Sequence, residues 1–330
     1  WFDGTLARDP TGVVHRIREE WMLWAGLGAL AWSAAGGFLL RPLLAAPDKR
    51  VLKPVKAEGR MMVSATGSNI YLEAHGDPRT PCIVLTHGWG LDRSIWSYAI
   101  EDLAERFHVI VWDLPGLGRS KGKIDLETFA EDLRAVAAQS PTQPVVLVGH
   151  SIGGMTIQTL ARRDPAFVEQ NVAGIVLLNT TYTNPLQTMI LSPLWQALRW
   201  PVLEPLLWLT TVLEPLAWLW SWQSYLSGSA HLANRLGFGK HVTRSQLNAT
   251  TLLGVKNRPG ALARGNLAMF RWDASDALST LDVPVLVIGG ERDIVTEPKA
   301  SSRISESAVA STLTIVDDVN HMGFLERYDV

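Results

Sequence analysis

Gly149-His150-Ser151-Ile152-Gly153 sets a serine between two glycines, directly after the apolar run 144–148 and ahead of a helix-patterned stretch, 154–163. A strand that ends at a glycine, presents a serine and turns at once into a helix lifts the hydroxyl clear of the sheet. Such a serine is a weak nucleophile at neutral pH. It needs a base within hydrogen-bond reach and a third group to orient that base. Two later loops, each following a strand-like run, supply candidates: Asp293, in Gly289-Gly290-Glu291-Arg292-Asp293, and His321, in Asn320-His321-Met322-Gly323. Glu291, Asp317 and Asp318 compete with Asp293 for the orienting role, whereas His321 has few rivals. His87 and His150 lie close in sequence to these turns and read as structural. Asp113 reads as a tie for its own loop.

Residues so far apart in sequence can meet only if the intervening elements bring their loops to one edge. Strand patterns at 61–64 and 69–75 flank Thr66-Gly67-Ser68, a hairpin signal. Further strands are expected at 82–86, 108–112, 145–148, 174–178, 285–288 and 312–316. Helices are expected at 95–106, 126–138, 152–163 and 297–307. Short apolar runs alternating with helices predict an α/β fold with a mostly parallel, doubly wound sheet covered on both faces. Ligands then bind beyond the carboxyl ends of its strands, where Ser151, Asp293 and His321 would converge.

Over about 61–327 the chain resembles the α/β-hydrolase superfamily. The resemblance rests on the elbow, on Thr86-His87-Gly88-Trp89-Gly90 after the third strand, and on Asp113-Leu114-Pro115-Gly116-Leu117-Gly118-Arg119-Ser120. It implies Ser151 as nucleophile, His321 as general base and then acid, and Asp293 as orienting acid. It also implies an oxyanion hole made by the backbone N–H groups of Trp89 and Ile152. Relatives that dehalogenate or open epoxides carry aspartate at the nucleophile position, and serine here argues against both. The expected activity is hydrolysis of carboxylic esters, with long acyl or lipid-like groups included, by an esterase or lipase-like enzyme. Acyl transfer, haloperoxidase-like perhydrolysis and C–C hydrolysis use the same triad. A non-catalytic membrane scaffold is the reading of a different class, and the intact Ser, Asp and His argue against it.

The segment 184–272 is foreign in composition to the rest and is expected to form a helical cap inserted between the two parts of the core, 60–183 and 273–330. Six of the fourteen tryptophans fall between Trp195 and Trp222, and over 185–227 the only charges are Arg199, Glu204 and Glu214. The octet starting at Val202 nearly repeats from Val212, each copy with a Glu-Pro pair that suits the first turn of a helix. Trp89, Trp195 and Trp208 are expected to line the substrate pocket.

The first part of the chain, 1–59, poses a separate problem. Residues 21–40 carry no charge and are bounded by Arg18-Glu19-Glu20 and Arg41. That run matches the ~20 residues a bilayer-spanning helix needs, with Trp21 and Trp24 near one end, where interfacial aromatics belong. Ala25, Ala29, Ser33 and Gly37 form a small-residue stripe that admits a close helix neighbour. A polar linker is expected over 42–59. A signal peptide and a helix docked on the soluble body are the competing readings. Glu19-Glu20 before the run argues against the first. More Lys and Arg follow the run (Arg41, Lys49, Arg50, Lys53, Lys56, Arg60) than precede it (Arg8, Arg16, Arg18), so a single-pass anchor would leave the catalytic part in the cytoplasm. The chain opens on tryptophan and closes nine residues after His321, as expected of a fragment.

A net charge of −2 gives no electrostatic case for nucleic acid. The lone Cys82 sits in a strand-like run and reads as a core residue. The eight scattered histidines have no zinc spacing. No metal or cofactor is expected, and nothing in the sequence sets an oligomeric state.

Overall fold

Strands buried along their whole length form where short aliphatic and β-branched runs are bounded by turn residues. In β5 (Cys82–Thr86) and β6 (His108–Trp112) every residue is buried, which requires cover on both faces of the sheet. The computed structural model describes residues 5–17 and 20–329. Its main sheet has eight strands among these residues, in the order β10-β9-β8-β7-β5-β6-β4-β3. The remaining strands are β3 (Gly59–Val63), β4 (Asn69–His75), β7 (Val145–His150), β8 (Val172–Leu178), β9 (Val285–Gly290) and β10 (Ser311–Val316). From β6 to β10 all neighbours are parallel, while β4 and β3 add an antiparallel edge. The fold is thus the α/β architecture with the mostly parallel sheet that the alternating pattern predicts.

Crossover helices α3 (Leu126–Ala137), α4 (Ile152–Arg163) and α13 (Pro298–Ser307) cover the sheet. The helix expected at 95–106 is shorter. A 3₁₀ turn at Arg93–Trp96, capped by the Asp92 side chain, precedes α2 (Ser97–Leu103). The added helix α5 (Pro165–Asn171) has the signature that periodicity alone passes over: Asp164 accepts from the Phe167 N–H and proline opens the first turn.

Between β8 and β9 the chain forms α6 (Pro185–Thr188), α7 (Ser192–Leu198), a π-helical turn (Arg199–Leu203), α8 (Glu204–Val212), α9 (Glu214–Ser227), α10 (Ser229–Arg235), α11 (Arg244–Lys256) and α12 (Pro259–Met269). Prolines stand in the first turns of α6, α7, α8 and α9, restarting the helix each time.

Near the N-terminus a hairpin, β1 (Thr5–Arg8) and β2 (Val14–Ile17), precedes one long apolar helix, α1 (Glu20–Leu44). Arg18 and Glu19, counted at the near end of the apolar run, lie outside the described residues. The helix runs past Pro42, where a linker was expected to begin, and the Ala45 N–H still reaches the Arg41 carbonyl at 3.2 Å. The following segment is strapped to the body rather than hanging loose. The Ala46 N–H donates to Val242 O at 3.0 Å, Arg244 N–H donates to Ala46 O at 2.9 Å, and Leu52 N–H donates to Ser245 Oγ at 2.8 Å. Finally, α14 (Gly323–Glu326) follows the loop that holds His321.

Candidate active site

Ser151 sits between β7 and α4 with φ 52° and ψ −118°, a backbone conformation that a residue with a side chain rarely adopts. Its neighbours make room for the turn. A Cβ on Gly149 would lie 2.6 Å from the Gly154 nitrogen, and one on Gly153 would run into the Thr86 carbonyl. The turn is pinned from β8: Ser151 N–H donates to Leu178 O at 3.0 Å, and Thr180 Oγ donates to Ser151 O at 2.6 Å. Strain at such a point persists only where the surroundings over-determine it. Here strand β7, helix α4 and the end of β8 do so together.

His321 Nε2 lies 3.0 Å from Ser151 Oγ, and His321 Nδ1 lies 3.0 Å from Asp293 Oδ2. The structure therefore brings Ser151, His321 and Asp293 into one hydrogen-bonded line at the carboxyl edge of the sheet. Asp293 is deeply buried. Its Oδ1 accepts the N–H groups of Val295 and Thr296, each at 2.8 Å, and its Oδ2 accepts Thr296 Oγ at 2.7 Å and Asn179 Nδ2 at 2.9 Å. Burial alone would push this carboxyl up. The neighbouring His321 ring and these hydrogen bonds outweigh burial and hold it at about 2. A carboxylate that stays ionised fixes a proton on Nδ1 and leaves the Nε2 lone pair facing the serine hydroxyl. That arrangement can take the Ser151 proton as the oxygen attacks.

Two of the rival carboxylates, Glu291 and Asp318, face other partners. Glu291 accepts the Asp318 N–H at 3.1 Å, and Asp318 pairs with Lys240 at 2.8 Å and Arg292 at 2.6 Å. The loop carrying His321 is held by Asn320, whose Oδ1 accepts the His321 and Ile294 N–H groups at 2.8 and 3.0 Å. Glu326 reaches back to accept the Asn320 and Gly239 N–H groups at 3.2 and 2.8 Å. Asn179 and Thr296 are positioning groups that the sequence reading missed. The one signal for Asn179 was a polar triplet, Asn179-Thr180-Thr181, at the carboxyl end of an apolar strand. Thr296 had none.

His87 and His150 are buried neutral spacers. His87 Nδ1 faces Gly88 O at 2.8 Å and its Nε2 accepts the Leu114 N–H at 3.0 Å, joining the loops after β5 and β6. His150 Nε2 lies 3.0 Å from His321 O. Burial, with the neighbouring His321 charge adding to it, lowers His150 to about 3. Asp113 ties its loop down through Arg93 Nη1 at 2.9 Å and the Arg119 N–H at 2.8 Å.

Ser151 and His321 open into a cavity of about 490 Å³ with mostly apolar walls. Trp89 and Trp195 line it, with Trp89 held by an indole N–H donated to Leu262 O at 3.1 Å. Trp208, expected there as well, is not part of the wall and is 63% exposed. The helical period explains the correction. Leu203, Leu206 and Leu207 occupy the inward stripe of this stretch and line the cavity, which turns Trp208 away. Ile152 is the first residue of α4, where backbone N–H groups lack intrahelical acceptors, and Trp89 follows β5 at the same cavity.

Comparison with known proteins agrees with this fold. A profile of the alpha/beta hydrolase fold matches residues 81–328. The chain is 31% identical to a pimeloyl-acyl-carrier-protein methyl ester esterase of Sodalis glossinidius, over 74% of this chain and 88% of the relative. The enzyme of that name from Vibrio campbellii is 26% identical, over 79% and 95%. Among solved structures, an esterase from Exiguobacterium antarcticum superimposes with a TM-score of 0.65 at 20% identity, covering 82% of this chain and 96% of its own. The chain belongs to the α/β-hydrolase family.

Proposed function

We propose that the chain hydrolyses carboxylic esters through an acyl-enzyme formed on Ser151. The observation that carries this reading is the line Asp293–His321–Ser151, with both links at 3.0 Å, opening into an apolar cavity. His321 takes the Ser151 proton as Oγ attacks the ester carbonyl. The oxyanion of the tetrahedral intermediate is met by the N–H groups of Ile152 and Trp89, and losing such a donor typically costs ~10²–10³ in rate. Collapse expels the alcohol, which leaves with the proton from His321. Water then gives a proton to His321 and attacks the acyl carbon; as the acyl–Oγ bond breaks, His321 returns that proton to Ser151 Oγ and the acid leaves.

The methyl ester esterases among the relatives support ester cleavage. The walls of Met155, Leu186, Met269 and Phe270 favour an apolar acyl group over a small polar one. We further read the helices between β8 and β9 as a cap over the site, because Trp195, Leu203, Leu206 and Leu207 from this segment share the cavity with Ser151. Helix α1 serves as a membrane anchor. Its 25 residues suffice to cross a bilayer, and the excess of Lys and Arg after it keeps the catalytic body on the cytoplasmic side.

Labelling by a fluorophosphonate probe tests the reading directly. The wild type is expected to be labelled and Ser151→Ala is not; equal labelling of the two would end the proposal. A series of nitrophenyl esters tests the acyl preference. Turnover is expected to rise from acetate towards medium-length chains, and a clear preference for acetate would remove the apolar-acyl claim.

A further inference from the structure

We propose that α8 and α9 lie in the bilayer interface beside α1, so that the cavity receives its ester from the membrane through a mouth at Leu206. The entry route rests on the ester-hydrolase reading above, and the placement of the helices rests on the reading of α1 as an anchor.

Three sets of contacts fix α1 relative to the body. Arg41 Nη1 donates to Asn248 Oδ1 at 2.8 Å, Arg235 Nε donates to Leu44 O at 2.9 Å, and Ala46 is bridged to Thr243. The helix therefore cannot swing independently of the cap. Its apolar part is docked on α9: Gln223 Nε2 donates to Ser33 Oγ at 2.7 Å, and a Cβ on Gly36 or Gly37 would come within 2.6 Å of Ser227 O or 2.8 Å of Tyr225 O. Ser33 lies about 12 Å along α1 from Arg41, taking 1.5 Å per residue. Residues 24–32 beyond it are all exposed. A bilayer that takes up the apolar run of α1 thus meets α9 where the two helices touch.

The composition of α8 and α9 suits that contact. Leu216, Leu219 and Trp220 on α9 are 62%, 66% and 77% exposed, and Trp208 on α8 joins them. Their charges are spent on the body side. Glu204 accepts from Arg199 at 2.8 Å and from Arg271 at 3.1 Å, and Glu214 accepts from Arg258 at 2.6 Å. What remains outward is an uncharged face rich in Trp and Leu, the chemistry of a helix lying in the headgroup–acyl boundary. Leu206 belongs to both worlds, since it lines the cavity and is itself more than half exposed. Helix α8 is therefore the partition between the cavity and the membrane face, and Leu206 marks its opening.

The test uses the full chain. Its sole cysteine, Cys82, is buried, so single cysteines can carry an environment-sensitive fluorophore in the Trp208→Cys, Leu219→Cys, Leu30→Cys and Glu105→Cys variants. Vesicles of phosphatidylcholine with some phosphatidylglycerol, doped with acyl-chain nitroxide lipids, provide the quencher. Quenching at 30, 208 and 219, with none at 105, supports the proposal, and quenching at 208 and 219 without 30 would overturn the placement beside α1. Position 30 alone reports the anchor. Labels at 208 and 219 that stay in water would overturn the proposal. Labels shielded from water yet unquenched by the lipid nitroxides would give this face to a protein partner and overturn it equally.

For the entry route, Leu216→Asp/Leu219→Asp/Trp220→Asp is compared with the wild type on two substrates. Turnover of a long-chain ester embedded in the vesicles is expected to fall about tenfold as the charged face leaves the interface. Soluble nitrophenyl butyrate should change by less than about twofold, since none of the three lines the cavity. An unchanged rate on the embedded ester would overturn the route. Failure of the enzyme reading would show separately, as no Ser151-dependent turnover of either ester.

Discussion

Helices α4 and α9 are both rich in apolar side chains, yet they meet opposite surroundings. In α4 every residue from Ile152 through Ala161 is buried, whereas α9 has no buried residue. Around α4 the protein supplies its own environment: the sheet takes the apolar face and the elbow fixes the first turn. Around α9 the protein supplies only part of it, chiefly through α1, α10, α11 and α12. Apolar composition reports burial only when the partner surface is encoded in the same chain. At the sheet edge, function depends on polar atoms held to tenths of an ångström. On the inserted helices the proposed role falls to a face that no other part of the described chain covers.

The largest expected effect belongs to the sheet-edge region. Asp293→Asn keeps the shape but removes the charge that holds the His321 proton on Nδ1, so kcat for a soluble ester should fall by about 10³–10⁴-fold. Circular dichroism should report a native fold. A loss below tenfold would mean that His321 is oriented without this carboxylate. Gly149→Ala probes the elbow itself. Its Cβ meets only backbone atoms of Gly153 and Gly154, which cannot rotate away, and a cost of about 3 kcal/mol in unfolding free energy is expected. If alanine is tolerated at no cost, the turn is looser than its backbone angles imply.

Much of this region was legible in the sequence because its signals are local. The elbow glycines, the order of Ser151, Asp293 and His321, and the alternation of strand and helix each follow from residue types over a few positions. Asn179 and Thr296 were not legible, since their role exists only where the ends of β8 and β9 come together. Trp208 was misplaced for a related reason. Composition identifies a Trp-rich segment, but which face each tryptophan takes depends on where the helix restarts, at Glu204 for the stretch that carries Trp208. The continuation of α1 to Leu44 and the strap from Ala46 to Thr243 join segments nearly two hundred residues apart, with no local mark.

Acid should weaken the sheet-edge region through its buried histidines. His150 is held neutral, at about 3 against an ordinary value of 6.5, with burial as the first cause; burial lowers His87 in the same direction. A histidine depressed in the folded state leaves the unfolded chain binding more protons once pH falls below 6.5. Stability is therefore full above 6.5 and is lost as pH drops towards 3, by at most about 1.4 kcal/mol per pH unit for each group. Asp293 acts in the same sense but lower, between its ordinary 3.8 and about 2. Denaturant unfolding at pH 6.5 and 4.5 should thus show a decline that is shallower in His150→Asn. An unchanged slope would place the acid sensitivity elsewhere.

The smallest effect expected is that of Leu219→Ala, which gains its meaning beside the same change made at Leu160, in the other surroundings. Leu160 in α4 is fully buried and Leu219 in α9 is 66% exposed. Leu160→Ala removes contacts the core cannot refill and should cost about 2–5 kcal/mol. Leu219→Ala, measured in the same mild detergent, should change stability by no more than about 0.5 kcal/mol, since its side chain meets the surrounding medium before and after unfolding. Thermal or denaturant unfolding of the two variants side by side gives the ratio. If Leu219→Ala costs as much as Leu160→Ala, the outer face of α9 is packed against protein in the folded state, and the distinction between a self-sufficient sheet edge and an environment-dependent cap collapses. If the two separate as expected, α9 keeps its apolar residues for a role that folding does not demand.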